Sequence, residues 1–330
     1  MPPIAEVANL AVAFPDPTTG WRHVVDGVTL ELMEGEALGV VGESGCGKTL
    51  SALAIARLIP EPGRITGGSV RLAGEDVLAA DEKRMCALRG AVVGVVFQEP
   101  AQALNPVKSV ASQVVEAAVL HGGGLTGSQA QELAVTLLSE VGLEEPARVA
   151  RSFPHQISGG QRQRVLLASA LAADPRVLIA DEPTSALDTV AQLRMVELLG
   201  RLHEARNLSL LFVSHDLGLV GRVVDRIAVL YAGETVEVAD RAALLNRPLH
   251  PYSVALLETG AFVADAEHTR FPTVPGRVPA ARDWGPGCRF AARCPSAFER
   301  CRLTRPGMNQ LPGHRRVRCF LAGDAEEPGA

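Results

Sequence analysis

The eight residues GESGCGKT, Gly42 to Thr49, constrain this chain more than any other stretch, because they follow an apolar run ending in LGVV and precede KTLSALAIARLI. The pattern G-x-x-x-x-G-K-[ST] between a strand and a helix reads as a loop that wraps a phosphate group. Glycines at Gly42, Gly45 and Gly47 let the backbone approach closely and turn successive N–H groups inward at the positive end of the helix. Glu43, Ser44 and Cys46 fill the variable positions, Lys48 reaches the β and γ phosphates, and Thr49 holds Mg²⁺. Cys46, a small thiol in such a loop, is expected to meet thiol reagents when nucleotide is absent. The apolar spacing predicts a helix from Lys48 until Pro60 and Pro62 stop it.

The rest of the first 260 residues extends this unit into a sheet. Hydrophobic residues make up 47% and aromatic residues only 4%, so the core is built from Ala, Val and Leu, as suits a parallel α/β sheet. Strands are expected at 177–181 and 208–214 with a helix near 189–206 between them, a βαβ rhythm. VLIADE, Val177 to Glu182, is a buried strand whose terminal acids emerge at the carboxyl edge, where ligands of open α/β sheets bind. Asp181 there suits Mg²⁺, and Glu182 suits orienting and polarising an attacking water. ISGGQRQRV places Ser158 as an N-cap, with Gly159, Gly160 and Gln161 leaving an open anion site at the helix start. His215, in SHD after the strand LSLLFV, and Gln98, ending GVVFQ, reach the same edge.

This ordered set of phosphate loop, Gln98, SGGQ, ADE, SALD (Ser185 to Asp188) and His215 resembles the nucleotide-binding subunit of an ABC transporter over about residues 7–260. The resemblance implies an α/β phosphate-loop ATPase with an antiparallel β subdomain, a helical subdomain at about 100–165 and a small Cys-rich C-terminal extension. It implies a head-to-tail dimer, in which ATP on one phosphate loop is closed over by Ser158, Gly159, Gly160 and Gln161 of the other subunit, with Asp188 beside the nucleotide. Glu182, His215 and Gln98 are the implied catalytic residues, and Thr49, Gln98 and Asp181 the Mg²⁺ ligands. Phe14 is the best match for the aromatic that stacks on adenine, with Trp21 a weaker one.

Two further stretches, FQEPAQALNP (Phe97 to Pro106) and HPYSVALL (His250 to Leu257), are similar to segments of the oligopeptide and dipeptide import ATPases. That subgroup also serves nickel and glutathione, and usually carries Asp where this chain has Glu99. It implies uptake across the cytoplasmic membrane with two permease subunits, an extracytoplasmic binding protein and a second ATPase, in a homodimer or a heterodimer. A soluble ABC ATPase of repair or translation would carry two such domains or a coiled-coil insert. Neither is present in this sequence.

The net charge of −5 gives no electrostatic reason to expect nucleic acid. The N-terminus lacks the basic and apolar segments of a signal peptide, and no run reaches the roughly 18 apolar residues of a membrane helix. The expected location is therefore peripheral, on the cytoplasmic face of the membrane.

Beyond about residue 262 Pro, Arg, Gly and Cys become frequent, which divides the chain into 1–262 and 263–330. Cys288, Cys294, Cys301 and Cys319 show the spacing C-x5-C-x6-C-x17-C. A reducing compartment disfavours disulfides. Zn²⁺ suits four thiolates, but the tight knuckles of zinc sites are missing. A [4Fe-4S] cluster tolerates looser spacing and would staple a loop-rich tail, and the importer subgroup's extension is associated with one. Iron-sulfur, zinc and no metal all stay open, with His314 a possible substitute ligand.

Overall fold

The computed structural model describes residues 2–98, 103–122, 124–185, 187–260, 274 and 276–322. In chain order its strands are β1 (Ala5–Asp16), β2 (Gly20–Leu32), β3 (Ala37–Val41), β4 (Arg64–Leu72), β5 (Glu75–Asp76), β6 (Val93–Val96), β7 (Val177–Asp181), β8 (Ser209–Ser214), β9 (Arg226–Tyr231), β10 (Glu234–Asp240), β11 (Asn309–Leu311) and β12 (Arg315–Val317). The chain forms two compact units. The first comprises Met1–Ile4, Leu32–Ala37 and Leu72–Val213, and the second Ala5–Glu31, Leu38–Arg71 and Ser214–Ala330.

In the first unit β6, β7 and β8 run parallel, with Val96 opposite Ala180 and Asp181 opposite Val213. Every residue of β7 is buried, which is why VLIAD carries no polar alternation: strands covered on both faces need none. The connection from β7 to β8 passes through helix Thr189–Arg206, as the βαβ rhythm predicts. Helices Val110–Val114, Gly127–Glu140, Pro146–Arg151 and Gly159–Leu171 pack on one another, burying Val114, Leu137, Leu138, Val149 and Val165. Arg206, in the last turn of its helix, pairs with Glu140 at 2.6 Å and Asp174 at 3.0 Å. The boundary residues near 262, and Glu99, lie outside the described residues.

In the second unit β3 runs parallel to β9, with Val41 opposite Val229, and β9, β10, β12 and β11 continue antiparallel in that order. A separate layer has the order β2–β1–β4. The β1–β2 turn is pinned by Asp16, whose carboxylate accepts N–H bonds from Thr18 and Thr19 at 3.0 and 2.9 Å. So short a turn joins only antiparallel strands.

One expectation about elements needs correction. Helix Lys48–Ile55 ends before the prolines, because Arg57 turns left-handed and the Leu58 N–H closes onto the Leu53 carbonyl at 2.9 Å. The tail, expected to be loop-rich, adds the short strands β11 and β12 and buries Phe290 and Val317. It gains a core because those side chains pack against strands laid down far earlier in the sequence.

Candidate nucleotide-binding site

The loop Gly42–Thr49 leaves the carboxyl end of β3 in the second unit. A Cβ on Gly42 would stand 2.2 Å from the Leu230 carbonyl oxygen and 2.8 Å from the Cys46 sulfur, so only glycine fits. The Gly233 N–H donates to the Cys46 carbonyl at 3.0 Å, which holds the middle of the loop. Lys48, nearly fully buried, donates to the carbonyls of Gly42 and Glu43 at 2.8 and 3.2 Å. Cys46 is fully buried, and burial pushes its thiol up. The expected reactivity of Cys46 is therefore corrected: the space left by Gly42 takes the sulfur inward, and a buried neutral thiol is a poor nucleophile.

In the first unit Asp181 is buried at the end of β7, and Glu182 follows it with a left-handed backbone, φ 44°. A non-glycine residue in that region is uncommon and tends to mark a functional turn. The Glu182 N–H still reaches the Val213 carbonyl at 2.9 Å, so the turn redirects the side chain while keeping the edge bonded. The Gln98 amide, two residues beyond β6, donates to the Glu182 carboxylate at 3.1 Å. This brings together two residues 84 positions apart in sequence, because β6 and β7 are parallel neighbours.

Ser158 caps helix Gly159–Leu171 through a reciprocal box: its hydroxyl accepts the Gln161 N–H at 3.3 Å, and the Gln161 side chain accepts the Ser158 N–H at 2.9 Å. Nothing stands within 4 Å of a Cβ on Gly159, and only Leu187 approaches one on Gly160. These glycines are thus unnecessary for packing and leave a groove edged by Ser158, Gly160, Gln161, Arg164 and Arg194. Asp188 caps helix Thr189–Arg206, accepting the Ala191 N–H at 2.9 Å.

His215 follows β8 and is exposed. Its neighbour Asp216 fixes the backbone there, donating its N–H to the Ser214 hydroxyl at 3.1 Å and accepting the Leu219 N–H at 2.9 Å. Phe14, half-buried on β1, lies with its ring edge against Gly63. Trp21, on β2, is more exposed and carries the Arg64 guanidinium over its face at 4.8 Å.

Sequence reading missed how HPY and the tail meet this loop. The Tyr252 hydroxyl accepts the Glu43 N–H at 2.8 Å. His250, fully buried, accepts the Tyr252 N–H on Nδ1 at 3.0 Å, and burial holds its pKa down at about 3, so the ring is neutral. Buried Glu237 accepts the His250 N–H at 2.9 Å and pairs with Arg315 at 2.5 Å. Arg293 makes a bidentate pair with Glu43, at 2.6 and 2.9 Å. Cys288, Cys294, Cys301 and Cys319 line one cavity with His250, Phe290 and Phe320, and burial pushes the Cys288 thiol up to about 11. The excess of arginine beside the tail cysteines was the available signal for these contacts, but it named no partners.

Comparison with known proteins bears on this arrangement. Residues 25–185 match the ABC transporter family, and residues 236–301, which include HPY and three of the four cysteines, match the oligopeptide/dipeptide transporter C-terminal region. The chain is 41% identical over 327 residues to the dipeptide transport ATP-binding protein DppD of Escherichia coli (strain K12), covering 98% of this chain and 99% of that one. The chain belongs to the ATP-binding subunits of the oligopeptide/dipeptide ABC transporter family. It is likewise 41% identical over 307 residues to the oligopeptide transport ATP-binding protein AppD of Bacillus subtilis (strain 168), covering 93% of this chain and 92% of that one. Among solved structures, the dimeric ABC transporter cassette MJ0796 superposes with a TM-score of 0.65 at 28% identity, covering 72% of this chain and 98% of that one. Another structure of that cassette is a dimer in a post-hydrolysis state with ADP and Pi. This family member is accordingly an ABC ATPase with the cassette fold. Among the described residues no helix is long and apolar enough to cross a membrane.

Proposed function

We propose that this subunit hydrolyses ATP to energise uptake of oligopeptides or dipeptides, lying peripherally on the cytoplasmic face of the membrane. It works with a second ABC ATPase subunit, identical or homologous, beneath two permease subunits supplied by an extracytoplasmic binding protein. Residues 1–262 form the nucleotide-binding domain, with a helical subdomain at about 100–165, and 263–330 the extension. Lys48 and the loop amides take the phosphates, Phe14 the adenine, and Ser158, Gly159, Gly160, Gln161 and Asp188 close over the partner's nucleotide. Thr49, Asp181 and Gln98 offer hard oxygen donors, which suit Mg²⁺. Bound there, Mg²⁺ would neutralise developing phosphate charge. Glu182 orients and deprotonates the attacking water, Gln98 fixes that carboxylate, and His215 donates to the γ-phosphate.

The observation that carries this reading is Glu182: a left-handed turn at the end of a buried strand, with its carboxylate held by Gln98. Replacing it tests the assignment. Glu182→Gln should bind ATP within about threefold of the parent while turnover falls by about 100-fold or more, the range for losing a general base. Hydrolysis at the parent rate would refute the assignment.

For the tail, the reading is a structural [4Fe-4S] cluster on Cys288, Cys294, Cys301 and Cys319. All four line one cavity whose other walls are largely apolar. Among the described residues no group of three or more His, Cys, Asp or Glu side chains is placed to hold a metal ion, so the reading rests on the shared cavity and on the loose cysteine spacing, which a cluster tolerates better than Zn²⁺ does. When bound, the cluster would cross-link the segments that carry Cys288, Cys294, Cys301 and Cys319.

A further inference from the structure

The stretch Cys288–Cys294 reads CRFAARC. Its two cysteines line the tail cavity, while Arg293 between them reaches the phosphate loop. Phe290 packs edge-on against Tyr231 at 5.1 Å and tilted against Tyr252 at 5.5 Å. Arg293, with its side chain 5% exposed, donates to both carboxylate oxygens of Glu43, to the Tyr231 hydroxyl at 3.3 Å and to the Val274 carbonyl at 3.1 Å. Glu43 is the second residue of the phosphate loop. Its N–H is already given to Tyr252, and its carbonyl already receives the Lys48 ammonium. Every polar group of Glu43 is thus engaged, two of them by the region from HPY onward.

Two consequences follow from charge and geometry. A carboxylate on a loop that must accept a triphosphate repels its ligand unless a cation is paired with it, and a forked guanidinium pairs with it bidentately. A residue fixed at amide, carbonyl and side chain also fixes the carbonyl on which Lys48 rests, so displacing Glu43 displaces the lysine. We propose that Arg293 is a positioning residue for ATP, neutralising and anchoring Glu43, so that the Cys-rich tail sets the nucleotide affinity of the phosphate loop. The inference rests on ATP binding at this loop. It goes beyond that in giving the tail a part in the binding step.

A double-mutant cycle on the full-length chain decides the matter, using ATP affinity by equilibrium titration together with KM and kcat. Arg293→Ala should weaken ATP binding about tenfold, a difference of about 1.4 kcal/mol, and raise KM by a similar factor, with kcat at saturating ATP within about twofold. In a Glu43→Gln background, where the charge to be neutralised is gone, the same substitution should weaken binding by less than about threefold. Equal weakening in both backgrounds would mean that Arg293 only props up the tail, and unchanged affinity in Arg293→Ala would mean that it does not act on the loop. Either result overturns the proposal. If Arg293→Ala does not yield folded protein, Arg293→Met keeps the buried stem and enters the same cycle with the same outcomes. Failure of the ATP reading itself would look different, since the parent chain and Glu43→Gln would then both fail to bind ATP.

Discussion

At the scale of single residues, the phosphate loop shows that glycines of one motif are required for different reasons. Gly42 is required by what surrounds it: its Cβ would meet a backbone carbonyl oxygen at 2.2 Å, and backbone cannot move aside as a side-chain tip can. Gly45 has nothing within 4 Å, and only its positive φ of 79° favours glycine. Gly45→Ala should therefore cost about 1 kcal/mol in stability, the usual penalty for a left-handed alanine. Gly42→Ala should cost more than that and lower ATP affinity by about tenfold or more, because relieving the clash moves either the loop or the end of β9. Thermal denaturation and nucleotide titration of the two variants side by side would check the ranking. Glu182 is the converse case, a carboxylate-bearing residue held in a conformation that glycine would adopt with less strain. Its cost is met by the N–H bond to Val213 and by Gln98.

At the scale of elements, β10 carries the most unusual chemistry. Glu234 and Glu237 are buried on it, which a strand tolerates only when each charge is paired. Arg305 pairs with Glu234 at 2.7 Å, and Arg315 with Glu237, which also takes the Leu249 and His250 N–H groups. Buried pairs of this kind add little net stability, but removing one partner strands the other. Glu237→Ala should thus destabilise the chain by about 3 kcal/mol or more, whereas Glu237→Gln, which keeps an acceptor for the amides, should cost less. Denaturant titration would measure both, and equal losses would mean that the charge pair matters and the amide bonds do not. Arg316 adds a further tie, reaching Glu31 at 2.8 Å. Arg289, Arg305, Arg315 and Arg316 each meet an acid on a strand of the second unit, so the tail is registered on that unit by charge as well as by the short β12 ladder.

At the scale of the whole molecule, the iron-sulfur reading makes a compositional prediction. Protein purified without oxygen should contain about four irons and four acid-labile sulfides per chain, as one cubane requires, with a broad visible absorption that disappears in Cys301→Ser. One equivalent of zinc without iron would replace that reading by a single-ion site.

Much of this protein was legible in the sequence because its chemistry is local. A strand, a glycine-rich loop and a helix follow one another between Ala37 and Ile55, Ser158 and Gln161 cap a helix three positions apart, and buried parallel strands announce themselves as unbroken apolar runs. Such features are fixed by backbone sterics and nearest neighbours, so Lys48, Asp181, Glu182 and Ser158 could be placed from the letters alone. Contacts spanning hundreds of residues were not legible. Nothing in the letters says that Arg293 meets Glu43, that Tyr252 caps the same residue, or that Cys46 turns inward behind Gly42. Those depend on which strands become neighbours and how far each side chain reaches. The sequence by itself determined that this chain builds a phosphate loop on a parallel sheet, since periodicity and glycine placement leave no other local solution. Only the tertiary structure decided that the cysteine-bearing tail folds back to hold that loop, because burial and ion pairing between distant segments are selected by packing in three dimensions.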